Sequence, residues 1–272
     1  MNINNELKKA QELKKAGLFA EAELVYNKIL AKDSNNFQAN MDLSIIFALK
    51  NKIKESSLIL EKLIKLYPNK IEPYLNYTNI LIFNKQYEEA LSHLLICYDL
   101  DKKNETTINN LAFVYFQIKE YKKSEKIGKI GLNINKKNYF IFNVLGQLYL
   151  KKDEIDKSVN NFNIAIKLNK NFWPAYDNLL SLYEKTNKLK LFKNLLEEAK
   201  ITFNKTQYFT KLKYYESMFY FRNDNFKESL SILNTIKNQL ESERPNYLHS
   251  CYDLLGKNYE KIKNYKNIII YF

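Results

Sequence analysis

The chain has 272 residues, a formal net charge of +13 and 46% hydrophobic residues. This hydrophobic content supports a folded core, and no run approaches the roughly 18 consecutive apolar residues of a membrane span. The first residues also lack the apolar segment of a signal peptide. We therefore expect a cytoplasmic protein that makes no use of a membrane.

A pattern with a period of 34 residues begins at Ile3 and continues nearly to the end of the chain. In its clearest copy, residues 139–172, large apolar side chains recur at repeat positions 4, 7 and 11, and again from position 24. Spacings of three and four residues place such side chains on one face of a helix. Gly146 and Ser158 are small residues at positions 8 and 20, where two helices would cross closely. Each unit is therefore predicted to be a pair of antiparallel helices.

Taken in chain order, the pattern gives six units in strict register, and then two degenerate units within 206–272, of which the last is incomplete. In the sixth unit Leu180 and Phe192 occupy positions 8 and 20, so we expect that unit to be splayed or repacked. The six regular units span residues 3–36, 37–70, 71–104, 105–138, 139–172 and 173–205.

This unit resembles the tetratricopeptide repeat family, and the resemblance covers almost the whole chain. It implies an all-α fold, a right-handed α-solenoid of about seven to eight helix hairpins. It also implies a scaffold for protein–protein interaction. In this family the first helix of each unit lines an inner groove, at repeat positions 2, 5, 6, 9, 12 and 13.

The groove positions read from this resemblance are mostly uncharged, and asparagine recurs at or beside position 6. An amide both donates and accepts hydrogen bonds, so a ladder of amides would bind the backbone of an extended peptide. The ladder is similar to that of the repeat region of O-linked N-acetylglucosamine transferases. Apolar neighbours would add contact area. The candidate peptide-binding residues are Asn76, Asn79, Phe83, Asn109, Asn110, Phe113, Phe116, Asn143, Gln147 and Asn178.

Another peptide mode of the family, a clamp on a C-terminal carboxylate, requires cations in slots that here hold Leu75, Phe140 and Val144. Without these cations, capture of a carboxylate is not expected. No Gly-rich phosphate loop, metal-ligand spacing or catalytic triad is visible either. Cys97 fills a small slot of its repeat. We expect no enzymatic activity, no cofactor and no metal.

Two alternatives to a scaffold stay open. Residues 248–272 are similar to the repeats that precede the catalytic domain of bacterial repeat-bearing sulfotransferases or glycosyltransferases, which would make the chain the substrate-recognition arm of a longer transferase. The apolar end, 267–272, is predicted to be a second helix without a polar capping helix, and solenoid ends need a polar cover. Either a partner or a self-contact covers this end, or the natural gene product continues and this chain is a fragment.

The positive charge is the basis of the other alternative, binding of a polyanion. The basic residues are nearly all lysines spread along every unit, and Arg222 and Arg244 are the only arginines. Readers of nucleic acid rely on arginine for bidentate contacts. The expected partner is therefore a protein or peptide rather than a nucleic acid, and the sequence does not indicate an oligomeric state.

Overall fold

The computed structural model describes residues 2–204, 206–243 and 245–262. Within these ranges it contains fifteen α-helices and no β-strand. The chain divides into two compact units, Met1–Lys137 (unit 1) and Asn138–Phe272 (unit 2). The apolar segment 267–272, predicted to be a second helix, lies outside the described residues. The all-α class predicted from the sequence is confirmed.

Unit 1 consists of four consecutive helix pairs. Each first helix has 13 residues and each second helix has 14. The eight helices are α1 (Ile3–Lys15), α2 (Phe19–Lys32), α3 (Phe37–Leu49), α4 (Ile53–Leu66), α5 (Ile71–Phe83), α6 (Tyr87–Leu100), α7 (Glu105–Gln117) and α8 (Tyr121–Ile134). Every first helix therefore covers repeat positions 1–13 and every second helix positions 17–30.

Unit 2 continues the same alternation through its described part, with longer second helices after α10. Its helices are α9 (Tyr139–Lys151), α10 (Ile155–Leu168), α11 (Trp173–Lys185), α12 (Leu189–Phe203), α13 (Phe209–Arg222), α14 (Phe226–Glu243) and α15 (Leu248–Lys261). None of the helices in the described ranges is both long enough and apolar enough to cross a lipid bilayer.

Asparagine caps the start of several first helices. The side-chain oxygens of Asn36, Asn104 and Asn138 accept hydrogen bonds from backbone N–H groups three residues later, at 2.9–3.1 Å. Such a cap satisfies one of the backbone donors that the first helical turn leaves unpaired. Part of the high asparagine content therefore sets where the helices begin.

The turn inside each hairpin contains one residue in the left-handed conformation. At repeat position 15 of the first unit this residue is Gly17, with φ of 77°. The next N–H bonds to the carbonyl five residues back, as from Gln86 to Leu81 at 2.8 Å, which is the usual termination of a helix by a left-handed residue. The later hairpins use non-glycine residues with φ between 53° and 65°: Asn51, Lys85, Lys119, Asp153, Asn187 and Asp224.

Small residues at positions 8 and 20 let paired helices cross closely. The Ser158 hydroxyl donates to the Gly146 carbonyl at 2.8 Å, and a Cβ added to Gly146 would lie 2.6 Å from the ring of Phe162. In the sixth unit Leu180 and Phe192 are both buried at the crossing, and α11 and α12 contact each other less extensively than α9 and α10. The expected repacking of this unit is observed.

Candidate functional site

The first helices of unit 1 lie side by side, since α1 contacts α3, α3 contacts α5 and α5 contacts α7. Side chains join them: Asn110 Nδ2 donates to Asn79 Oδ1 at 3.1 Å, and Gln11 and Lys14 of α1 both reach the Asp42 carboxylate of α3. Positions 9 and 12 of one first helix therefore face position 6 of the next. We call the surface formed by positions 2, 5, 6, 9, 12 and 13 of α1, α3, α5 and α7 the first-helix face of unit 1.

An apolar pocket of about 320 Å³ opens on this face between α3 and α5. Its floor is formed by residues of α4, among them Ser56 and Leu60. The Ser56 hydroxyl donates to the Ser44 carbonyl at 2.8 Å, which holds α4 close beneath α3. The residues of the first-helix face that line the pocket are Ile45, Ala48, Leu49, Asn76, Asn79 and Phe83. We call this cavity the α3–α5 pocket.

The pocket exists because Ala48 occupies position 12 of its repeat. The same position holds Ile82, Phe116 and Leu150 in the next three units. A methyl group at this position leaves volume that a branched or aromatic side chain would occupy.

Two large apolar side chains stand at the rim of the pocket. Leu49 is 63% exposed and Phe83 is 76% exposed, both at position 13 of their repeats. Apolar area that is exposed beside an apolar cavity is typical of a surface that binds a partner. The rim and the pocket together give unit 1 a hydrophobic surface with two amides, Asn76 and Asn79, on its α5 side.

Seven of the predicted site residues lie in unit 1. Asn79 and Phe83 are exposed, and Asn76, Asn109 and Asn110 are half-buried. The bond from Asn110 to Asn79 uses one N–H of one amide and one lone pair of the other. Each amide carries two N–H groups and an oxygen with two lone pairs, so further donors and acceptors of Asn79, which is exposed, are available to a ligand.

The two phenylalanines of α7 are half-buried against tyrosines of the second helices. The rings of Phe113 and Tyr87 are 6.4 Å apart and nearly perpendicular, and those of Phe116 and Tyr121 are 5.8 Å apart. Phe113 and Phe116 therefore add partly exposed aromatic surface on α7, the next first helix after α5.

The other three predicted residues, Asn143, Gln147 and Asn178, lie in unit 2. Asn178 Nδ2 donates to Asn143 Oδ1 at 3.0 Å, which repeats the amide pairing of unit 1. Asn143 is only 4% exposed, because Asn178 and neighbouring side chains cover it, so it offers little surface to a ligand. Gln147 is half-buried. The ten predicted residues therefore form two sets, one in each unit.

Three lining residues, Ile45, Ala48 and Leu49, are absent from the predicted set because that prediction followed asparagine and aromatic residues. Their repeat positions do fall on the groove face of the resembling family. The available signal was the alanine at position 12, which is unusually small beside its equivalents in the following units. It becomes meaningful only when the side chains of both neighbouring helices are considered together.

Groups that could perform chemistry are buried or unclustered in the described ranges. Burial raises the pKa of the Cys97 and Cys251 thiols to about 12, so both stay protonated near neutral pH. The prediction that Cys97 is a buried small residue is confirmed. His93 lies against the rings of Tyr74 and Tyr77 at 5.8 and 5.2 Å. Within the described residues, no cluster of His, Cys, Asp or Glu has the makeup of a metal site.

On the first-helix face of unit 1 the lysines are confined to α1, where Lys8, Lys14 and Lys15 hold positions 6, 12 and 13. The face positions of α3, α5 and α7 hold no lysine or arginine. Several lysines instead pair with carboxylates between helices, as Lys32 does with Glu6 at 2.9 Å and Lys50 with Glu23 at 2.6 Å. No continuous cationic stripe therefore crosses these three helices.

Residues 141–172 match the tetratricopeptide repeat family. A tetratricopeptide repeat protein from Parabacteroides merdae has a similar structure, with a TM-score of 0.74 at 16% identity over 94% of this chain and 98% of that one. In the Cut9–Hcn1 hetero-tetramer of APC/C, a chain aligns with a TM-score of 0.74 at 14% identity, over 92% of this chain and 48% of that one. The pilF protein of Pseudomonas aeruginosa aligns with a TM-score of 0.62 at 15% identity, over 78% of this chain and 96% of that one.

None of the curated proteins matches this sequence. The solved structures, at identities below one fifth, establish the fold. It is the α-helical hairpin fold of tetratricopeptide repeat proteins, as predicted from the 34-residue period.

Proposed function

From the tetratricopeptide repeat fold of this chain we infer that it is a protein-interaction scaffold, and that unit 1 binds an extended segment of a partner protein across its first-helix face. The observation that carries this proposal is the α3–α5 pocket, with its exposed rim residues Leu49 and Phe83. It is an apolar cavity on a surface where the family resemblance places the ligand groove.

The size of the pocket favours one large side chain. Sites for small molecules and cofactors generally range from about 300 to 1,000 Å³, and this pocket, at about 320 Å³, is at the lower limit. It would accept a leucine, methionine or phenylalanine side chain of a bound peptide, and burying such a side chain is worth about 1.5–3 kcal/mol. This anchor would then be the largest single contribution to the binding free energy.

The amides beside the pocket are suited to hold a peptide backbone. Asn79 is exposed on α5, and its hydrogen-bond partner Asn110 lies on the next first helix, α7. A peptide that crosses from α5 to α7 would therefore meet amide donors and acceptors on both helices. Amides pair with backbone N–H and C=O groups whatever the side chains of the peptide are. The amides would therefore contribute affinity and orientation, while the pocket selects the sequence.

The charge distribution supports a polypeptide ligand over a polyanion. Nucleic-acid binding draws most of its free energy from lysine and arginine contacts to phosphates. The face positions of α3, α5 and α7 carry none of these residues.

The proposal is tested by panning random peptides on the immobilised chain. Peptides about twelve residues long would cross about four first helices, at about three residues for each helix. Ala48→Phe should fill the pocket and weaken the selected peptides at least about tenfold, and phenylalanine is already present at this repeat position as Phe116. Ala20→Phe is the matched control, because Ala20 is an exposed residue of α2, off the first-helix face. Dissociation constants from isothermal titration calorimetry measure both effects.

A second variant tests the same site in case Ala48→Phe does not fold. Asn76→Ala combined with Asn110→Ala should weaken the same peptides about three- to tenfold, because two backbone partners are lost. Helicity and melting temperature should stay nearly unchanged, since both amides are only half-buried. If no peptide is enriched, or if the enriched peptides bind the wild type and both variants equally, the first-helix face of unit 1 is not a peptide site.

A further inference from the structure

The first-helix face changes from cationic on α1 to mostly uncharged on α3. Positions 6 and 13 of α1 hold Lys8 and Lys15, and both are exposed. Neither has an ion-pair partner among the described residues. Lys15 is in the same repeat position as the pocket-rim residues Leu49 and Phe83, so it stands at the same end of the helices, one helix away. The apolar pocket therefore has a cationic side chain on its α1 side.

The carboxylates nearby do not neutralise Lys15. Asp42 is buried and already occupied, because it pairs with Lys14 and accepts hydrogen bonds from Gln38 at 2.8 Å and from Tyr26 at 3.0 Å. Glu12 lies at position 10, and this position faces the preceding repeat in α3 and α5 rather than the first-helix face.

Glu72 is at the opposite end of the face. It holds position 2 of α5, about 16 Å along the helix from position 13 at a rise of 1.5 Å per residue. Among the face positions of α1, α3 and α5, the charge left without an ion-pair partner at the pocket end is therefore that of Lys15, with Lys8 further along α1.

The spacing between neighbouring first helices predicts how far apart the apolar and acidic residues of a bound peptide would lie. Packed helices lie about 8–10 Å apart, and an extended chain advances about 3.3 Å per residue. The pocket lies between α3 and α5, about one and a half helix spacings from α1. A residue that reaches α1 is therefore about four positions away from one whose side chain enters the pocket. On the α7 side the ligand would instead meet the amides and the rings of Phe113 and Phe116.

We propose, on the basis of the function inferred above, that unit 1 recognises a protein segment in which a large apolar side chain enters the α3–α5 pocket and an acidic side chain about four residues away pairs with Lys15. The apolar residue makes the largest single contribution to the affinity. The acidic residue fixes the direction and register of the segment, because electrostatic complementarity contributes more to specificity than to affinity.

A charge exchange tests the acidic position directly. The probe is a synthetic peptide taken from the panning experiment, together with the same peptide in which the acidic residue is replaced by lysine. Lys15→Glu should weaken the acidic peptide about three- to tenfold and should bind the lysine peptide better than the wild type does. Both changes should diminish at high salt, because exposed ion pairs are screened.

Lys54→Glu is the matched control, since it makes the same change in net charge on α4, at an exposed residue outside the first-helix face. If Lys54→Glu and Lys15→Glu weaken the acidic peptide equally, only the net charge matters and the proposed pairing is wrong. The same holds if Lys15→Glu has no effect, or if the selected peptides carry no acidic residue near the apolar one. In each of these outcomes a loss of binding in Ala48→Phe would still support the peptide site itself.

Discussion

The two units contain the same kind of helix hairpin but expose different side chains on their first helices. In unit 1 an apolar pocket of about 320 Å³ lies between α3 and α5, with amides beside it. In unit 2 a cavity of about 560 Å³ lies among α11, α13 and α15, and charged side chains contribute to its lining. The contrast comes from the side chains at the face positions, since the helices themselves follow the same alternation.

Charged side chains of α11 and α13 pair with one another. Arg222 Nε donates to Glu184 at 3.1 Å, and Lys211 donates to Asp177 at 2.7 Å. A ligand would have to break such pairs and desolvate both partners, which costs free energy. In the α3–α5 pocket it would displace only water from apolar surface. The comparison is therefore consistent with the proposal that the ligand binds to unit 1.

The largest expected effect concerns the tight helix crossing of unit 2. Gly146→Ala places a methyl group against the fully buried ring of Phe162, so we expect a loss of about 1–3 kcal/mol in the free energy of unfolding. Guanidinium unfolding followed by the fluorescence of Trp173 measures this loss, because Trp173 is the single tryptophan and packs in the same cluster as Phe162.

The matched control is Ser44→Ala, at the same repeat position in unit 1. Its hydroxyl donates only to the Met41 carbonyl in the same helix, at 2.7 Å, so the loss should be smaller and should leave the Trp173 transition in place. An unchanged Trp173 midpoint in Gly146→Ala would mean that the ring of Phe162 can move aside, and that the two crossings do not differ.

The second effect concerns the response of unit 2 to acid. Burial by itself would raise the pKa of Glu216, but hydrogen bonds from Lys200 at 2.7 Å and Lys213 at 2.8 Å outweigh it, and the pKa is lowered. A carboxyl with a lowered pKa stabilises the fold above its ordinary value of 4.5, and this contribution is lost as the pH falls through the folded-state pKa.

Glu216→Gln should therefore destabilise unit 2 by about 1 kcal/mol at neutral pH, because two charge-assisted hydrogen bonds weaken. The difference from the wild type should shrink below pH 4.5. Glu197→Gln, which changes a more exposed partner of Lys200, should have a smaller effect. Unfolding midpoints of the wild type and of Glu216→Gln, measured across the acid range, test this expectation. A stability difference that stays constant with pH would contradict the lowered pKa of Glu216.

The smallest effect concerns the hairpin turns. Lys85 in unit 1 has φ of 61°, a conformation that costs a lysine more than a glycine. Lys85→Gly should raise the stability of the α5–α6 hairpin by about 0.5–1 kcal/mol. Asn187→Gly in unit 2, at φ of 53°, should gain less, because asparagine adopts this conformation more easily. Hydrogen exchange of the hairpin amides measures the stability gained by each variant. Equal gains in Lys85→Gly and Asn187→Gly would mean that lysine and asparagine turns cost the two units the same.

The sequence was sufficient to locate the helices of the regular units. Small residues such as Gly146 and Ser158 and large ones such as Phe162 recur in phase, and burial of the large ones fixes which helix face points inward. Amphipathic patterning of this kind is local, so it can be read without knowledge of the neighbouring repeats. The asparagines at the helix starts and the left-handed turn residues follow the same period.

The binding surface needed the tertiary structure, because it depends on pairs of side chains from different repeats. The asparagines Asn143 and Asn178 look alike in sequence, yet only one is exposed enough to offer surface to a ligand. Ala48 appears unremarkable until Ile45 and Phe83 are placed around it.

By itself, then, the order of residues determined where each helix starts, stops and turns, since those choices depend on neighbours within a few positions along the chain. Only the packing of hairpin against hairpin decided where a cavity opens, which amides bond to each other and which charges stay unpaired. Such properties arise from distances between residues about 30 or more positions apart, and a periodic pattern does not specify them.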